Sequence, residues 1–192
     1  KGYRVTWLGV DQDGALDLAE FSAALSEDTA LVSIMWANNE TGVIFPIDKI
    51  GAITRAKDIP FHVDAVQAAG KIPINVSALP VDLLTISGHK FHGPKGVGAL
   101  YVRRGITFPP FMIGGHQERN RRAGTENVAG IVGMGHAAEI AMGRIAEDAA
   151  HERKLRDRLE ALLLAACPES RVNGRNQERL PNTLNISFRY LE

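Results

Sequence analysis

"DLLTISGHKFHGPKGVGALYVRR" fills residues 82–104. The apolar run from Leu83 to Ile86 has the length of a buried strand and stops at Ser87. Gly88, His89 and Lys90 follow. A loop containing Gly93, Pro94, Gly96 and Gly98 then leads into a second apolar run that ends in Arg103 and Arg104. Only about ten residues separate Ser87 from Val97, whereas a parallel crossover needs a dozen or more and an antiparallel return only a few. "GVGALYVRR" is therefore expected to pair antiparallel with its predecessor, as the one reversed strand of its sheet.

Working outward, the neighbouring pattern is strand, helix, strand. "TALVSIMWA" (29–37) is a near-continuous apolar run of the kind buried on both faces of a parallel sheet. "IDKIGAITRAKD" (47–58) puts Ile47, Ile50 and Ile53 on one helical face. "PFHVD" (60–64) and "VDLLTIS" (81–87) read as two further strands. Towards the start, Tyr3, Val5 and Trp7 alternate with Arg4 and Thr6 as in a short half-buried strand, and "DLAEFSAAL" (17–25) has helical spacing. The fold class is α/β, with a mixed, mostly parallel sheet flanked by helices.

From Glu126 the pattern changes. A glycine-dotted helical stretch (126–148) precedes "HERKLRDRLEALLLAAC" (151–167), an amphipathic helix with Leu155, Leu159, Leu162 and Leu163 on one face. Its polar face offers the i,i+4 pairs Glu152–Arg156 and Arg153–Asp157. "TLNISF" (183–188) is strand-like. A domain change is placed near residue 146, giving a large domain over 1–145 and the start of a smaller α+β domain over 146–192, onto which the leucine face should pack. The chain begins at Lys1 rather than Met and stops just after a strand-like run, so both ends read as cuts.

Composition narrows the function classes. The 192 residues are 45% apolar and 23% charged, with zero formal net charge. No basic excess points to nucleic acid or an anionic membrane surface, and no stretch resembles a membrane span or a signal peptide. The one cysteine, Cys167, leaves no disulfide framework within the chain, and a cytoplasmic location is the expectation.

In open α/β sheets ligands bind beyond the carboxyl ends of the strands. Asn38, Asn39 and Glu40 follow the first central strand. Asp64 closes the next, with Gln67 three residues on. Ser87, His89 and Lys90 follow the third. A lysine and an aspartate on neighbouring strand ends allow two readings. One is an ion pair closing the rim of the sheet. The other is a pyridoxal 5'-phosphate site, in which the amine binds the cofactor aldehyde and the carboxylate pairs with the pyridinium nitrogen. Asn39 and Gln67 would then suit the ring hydroxyl, and Ser87 the phosphate. The stretch is not a P-loop, because no glycine precedes Lys and Ser or Thr at the required spacing. His89 and His92 lack a third ligand nearby, so no metal site is read. Asn38 is read as a turn former and His62 as a packing residue. Arg119, Arg121 and Arg122 are read as solvated or at a subunit interface, and His116 is given no role.

"NNETG" (38–42), "HVDAVQAAGK" (62–71), "SGHKFHGPKGVGALYVRR" (87–104) and "RRAGTENV" (121–128), in this order and spacing, resemble the cysteine desulfurases of the NifS/IscS-like group in the class V aminotransferase superfamily. The likeness runs from about residue 30 to 188. It implies fold type I, a homodimer, and transfer of sulfur from L-cysteine to an enzyme cysteine as a persulfide, with release of alanine. A sulfur acceptor or iron–sulfur scaffold protein would be the partner. Under this resemblance Lys90 is the lysine that anchors pyridoxal phosphate and Asp64 the partner of the pyridine nitrogen. Asn39 and Gln67 meet the ring hydroxyl, and Ser87 and His89 serve the phosphate. Thr125 reaches the phosphate of the neighbouring subunit's cofactor. The family's N-terminal phosphate loop, ring-stacking histidine, nucleophilic cysteine and substrate-carboxylate arginine have no matching positions here. Cys167, before Pro168, is read as structural. Alternatives are a selenocysteine lyase, an aminotransferase, or a fragment that keeps only the fold.

Overall fold

The computed structural model describes residues 2–190. Its centre is a four-stranded sheet in the order β1 (Val32–Met35), β2 (Phe61–Asp64), β3 (Leu83–Ser87), β4 (Gly98–Val102). β1, β2 and β3 are parallel, with Ile34 beside Val63 and Val63 beside Leu84. β4 returns antiparallel to β3, pairing Ser87 with Gly98 and Leu83 with Val102. The short connection after Ser87 thus enforces the expected reversal.

Helix α2 (Ile47–Ala56) links β1 to β2 and buries Ile47, Ile50 and Thr54. Helix α1 (Leu18–Ala24) starts at Asp17, whose carboxylate accepts from the N–H groups of Ala19 and Glu20, and it buries Phe21. Phe21, Trp36, Phe45, Ile50, Phe61, Val63, Val81 and Leu84 form one core on a single face of the sheet. Full burial on both faces, expected for "TALVSIMWA", is not found. Ser33 and Met35 are exposed, because among the described residues no helix covers that face. The expected strand at Tyr3–Trp7 is also absent. Tyr3 and Trp7 are 83% and 87% exposed, with no neighbouring strand among the described residues to take up their backbone groups.

Beyond β4 the chain makes one short turn, α3 (Gln117–Asn120), in which Glu118, Arg119 and Asn120 hold left-handed φ of 49°, 57° and 65°. Helix α4 then runs unbroken through 39 residues, Val128–Ala166. The two helical stretches read separately are this one helix, and residue 146 lies inside it. Of its leucine face, Leu163 is half-buried. Leu155, Leu159 and Leu162 are exposed. The expected i,i+4 ion pairs are replaced. Arg156 bonds Asp157 at 2.8 Å and donates to the carbonyl of Leu180, while Glu160 takes Arg179 at 2.7 Å. The hairpin of β5 (Ser170–Val172) and β6 (Ile186–Phe188) is joined to the first half of the chain by the bond from Leu180 N–H to Gly42 O at 2.8 Å.

Candidate active site

The parallel strands deliver their carboxyl ends to one edge. Asp64 ends β2 beside Met35 of β1 and Thr85 of β3. One carboxylate oxygen accepts from the Val66 N–H at 2.9 Å, which turns the chain away and leaves the other oxygen open. Asn38 makes the corresponding turn after β1. Its side-chain oxygen accepts from the N–H groups of Glu40 and Thr41, each at 2.9 Å, as expected of a turn former. Asn39 is thereby presented outward. Asn39, Asp64 and Gln67 line one cavity of about 210 Å³ together with Met35, Ala37 and Val66.

Lys90 sits on a single 3-10 turn, Gly88–Phe91, directly after β3. Phe91 is buried and His92 takes a left-handed φ of 67°, so the turn folds back towards Gly93, whose N–H bonds the Gly88 carbonyl at 2.9 Å. Two glycines allow this geometry. A Cβ at Gly93 would lie 2.9 Å from the Gly88 oxygen, and one at Gly88 would crowd Met134 of α4. The Ser87 hydroxyl and His89 Nδ1 are 2.9 Å apart, so the two polar groups that flank the turn are held as a pair. Thr125 is exposed just before α4, and among the described residues no side-chain contact draws it to the cavity.

His62 lies on the open face of the sheet. Its two ring nitrogens meet Ser33 Oγ at 2.8 Å and Thr85 Oγ1 at 3.3 Å. Burial lowers its pKa, against the nearby Asp64 carboxylate, which raises it. It is a packed polar residue, as read from its place in a strand. His116 bonds Asn120 within its own loop.

The chain matches the class V aminotransferase family over residues 1–192. The chain belongs to the class V aminotransferase family. It is 59% identical, over its whole length, to a cysteine desulfurase of Nostoc sp., and 50% identical to the cysteine desulfurase NifS of Azotobacter vinelandii. It spans 48% of each of those relatives. A solved NifS-like protein superposes on 97% of this chain at a TM-score of 0.92 with 45% identity, and the chain covers 51% of it.

The class V chain thus groups three of the expected residues, Asn39, Asp64 and Gln67, around one cavity, pairs Ser87 with His89, and sets Lys90 on the adjoining turn. Sequence reading missed Met35, Ala37 and Val66 as cavity walls. Met35 was hidden inside an apolar run, although its position opposite Asp64 follows once the strands are in register. It also missed Lys71, half-buried, which donates to the Lys90 carbonyl. The donor set suits a phosphorylated pyridine aldehyde: an amine, a carboxylate with an open oxygen, two amides, a hydroxyl and an imidazole. A second cavity, of about 690 Å³, lies between α2, α4 and residues 178–181, with Lys71 in its wall. Among the described residues no cluster of three or more His, Cys, Asp and Glu could hold a metal, and no helix is long and apolar enough to cross a membrane.

Proposed function

We propose that this chain is part of a pyridoxal-phosphate-dependent cysteine desulfurase, which takes sulfur from L-cysteine and releases alanine. The observation that carries this reading is the convergence of Asn39, Asp64 and Gln67 on one strand-end cavity beside the Lys90 turn. When bound, the cofactor supplies an electron sink for the substrate's α-carbon. Lys90 would be the point of attachment, and its amine would move a proton at that carbon. The open oxygen of Asp64 would hold the ring nitrogen and keep it protonated. Asn39 and Gln67 would hold the ring hydroxyl, and Ser87 and His89 the phosphate. Thr125 serves the phosphate of the partner subunit's cofactor in a two-fold dimer.

The accepting thiol is a cysteine outside these 192 residues. Cys167 closes α4, while the part of α4 near the Lys90 turn includes Ala141. Twenty-six further residues of helix separate the two by roughly 39 Å. Residues 1–145 are assigned to the cofactor-binding domain and 146–192 to the beginning of the smaller one. An iron–sulfur scaffold in the cytoplasm is the proposed sulfur acceptor.

In the full-length enzyme, Lys90→Ala should abolish the visible cofactor band and Lys95→Ala should keep it. Loss of the band in Lys95→Ala with retention in Lys90→Ala would show the site to be misassigned. Release of alanine and protein-bound sulfur from L-cysteine separates a desulfurase from an aminotransferase, which would consume a keto acid. Cys167→Ala should retain full desulfurase activity.

A further inference from the structure

The lysine-bearing turn rests on a joint of three elements. Gly70, at φ 75°, lies in the loop after β2. A Cβ there would fall 2.6 Å from the Phe91 side chain and 3.6 Å from the Ala141 methyl of α4. Glycine therefore lets this loop meet the 3-10 turn and the long helix at one point. The next residue, Lys71, turns its ammonium to the Lys90 carbonyl and donates to it at 3.4 Å. The contact is long, but its donor is charged.

Keeping an ammonium half out of water is unfavourable. Burial lowers the Lys71 pKa, the like charge of Lys90 lowers it further, and Glu152 of α4 raises it. The charged groups around it are Lys90 on the turn, Glu152 and Arg153 on α4, Asp48 and Lys49 on α2, and Glu178 and Arg179. A solvated lysine would avoid this cost. Local rules broken in this way concentrate where a side chain has a task.

We propose that Lys71 is a positioning residue for Lys90: by fixing the carbonyl of the anchoring lysine against the Gly70 joint, it sets the direction in which the Lys90 side chain leaves the turn. The inference rests on the cofactor reading given above. The turn is closed by its own backbone bonds, so removing Lys71 leaves it folded and changes its aim.

The test uses the full-length enzyme reconstituted with pyridoxal phosphate. Wild type, Lys71→Met, Lys71→Arg and Lys49→Met are compared, Lys49 lining the same larger cavity away from Lys90. Visible circular dichroism per bound cofactor reports how the cofactor is oriented. Lys71→Met is expected to lose about half or more of that signal and about tenfold in kcat, with KM within about twofold and Tm little changed. Lys71→Arg, which still reaches a single carbonyl, and Lys49→Met should match wild type. Unchanged dichroism and kcat in Lys71→Met at equal occupancy would overturn the proposal. Should Lys71→Met fail to fold, Lys71→Gln and Lys71→Arg decide: a retained signal in Arg and a lost one in Gln supports it, and equal signals refute it. A wild-type enzyme that takes up no cofactor overturns the underlying cofactor reading, and the proposal with it. That failure is recognisable because it precedes any substitution.

Discussion

Asp64 spends one carboxylate oxygen on the Val66 N–H and keeps the other free. Asn in its place retains the acceptor that shapes the turn and loses the charge. Asp64→Asn should therefore lower turnover more than cofactor occupancy. The binding loss should be limited to the roughly 1.5–3 kcal/mol of a charge-assisted contact, and absorbance and turnover measured side by side decide it. His62 supplies a second residue-scale expectation. Its folded pKa is depressed by burial below the ordinary value of 6.5. The unfolded chain then binds the proton first. The stability that neutral His62 contributes is present above pH 6.5 and is lost as pH falls towards the depressed folded value. Thermal melts of His62→Gln from pH 7.5 to 5.5 should lose less Tm than wild type, and an equal loss would remove His62 from the account. At this scale much of the candidate site was legible, because Asn39, Asp64, Gln67 and Ser87 each stand just past an apolar run. Lys71 was not. Nothing in "AAGKIP" distinguishes a solvated lysine from one folded back onto a carbonyl nineteen positions later.

Among the elements, α2 shows packing overruling propensity. Ala for Gly in a helix interior ordinarily gains about 1 kcal/mol. At Gly51 a Cβ would stand 2.5 Å from the Pro80 carbonyl oxygen and 2.6 Å from its ring. Overpacking costs about 1–3 kcal/mol and outweighs the gain. Gly51→Ala should lower Tm by several degrees, and a rise would show that the 79–81 segment yields freely. The strands and α2 could be read from the sequence because their apolar spacing follows the buried face. The continuity of α4 could not. Its glycines look like interruptions, yet Gly133 is where Pro94 approaches, within 2.8 Å of a would-be Cβ, and the neighbouring Met134 meets Gly88. The Tyr3–Trp7 alternation failed for a related reason. A period of two describes a strand only when another strand is there to pair with it.

For the whole molecule, the second half of the chain meets the first through backbone bonds from Leu180 N–H to Gly42 O at 2.8 Å and from Ile44 N–H to Glu178 O at 2.9 Å, and a buried ion pair lies beside them. The Arg179 side chain is 8% exposed and that of Glu160 14%, and they meet at 2.7 Å. Arg179 also leaves Nη1 without a partner among the described residues. Arg179→Ala should destabilise the full-length protein by about 3 kcal/mol, because it strands a buried carboxylate. Arg175, 3.9 Å from Glu160, softens that loss. The double replacement Arg179→Met with Glu160→Leu should recover most of it. Chemical denaturation of the three proteins measures both, and a double variant no more stable than Arg179→Ala would contradict the argument. The mixed sheet was legible at this scale from one short loop. The pairing of distant segments was not, since the bond from Leu180 to Gly42 spans residues that share no pattern.

The unbroken α4 is also a lever. Its fulcrum is where Met134 and Ala141 meet Gly88 and Gly70, and its load is the β5–β6 hairpin at the far end, itself bonded to the first half of the chain near Leu180. With roughly 39 Å of arm beyond Ala141, a tilt of about 5° at the fulcrum sweeps the tip through about 3 Å. Without a kink to absorb rotation, displacement at the hairpin is geared down more than tenfold in amplitude for the few ångströms around the Lys90 turn, and force is multiplied in the same proportion.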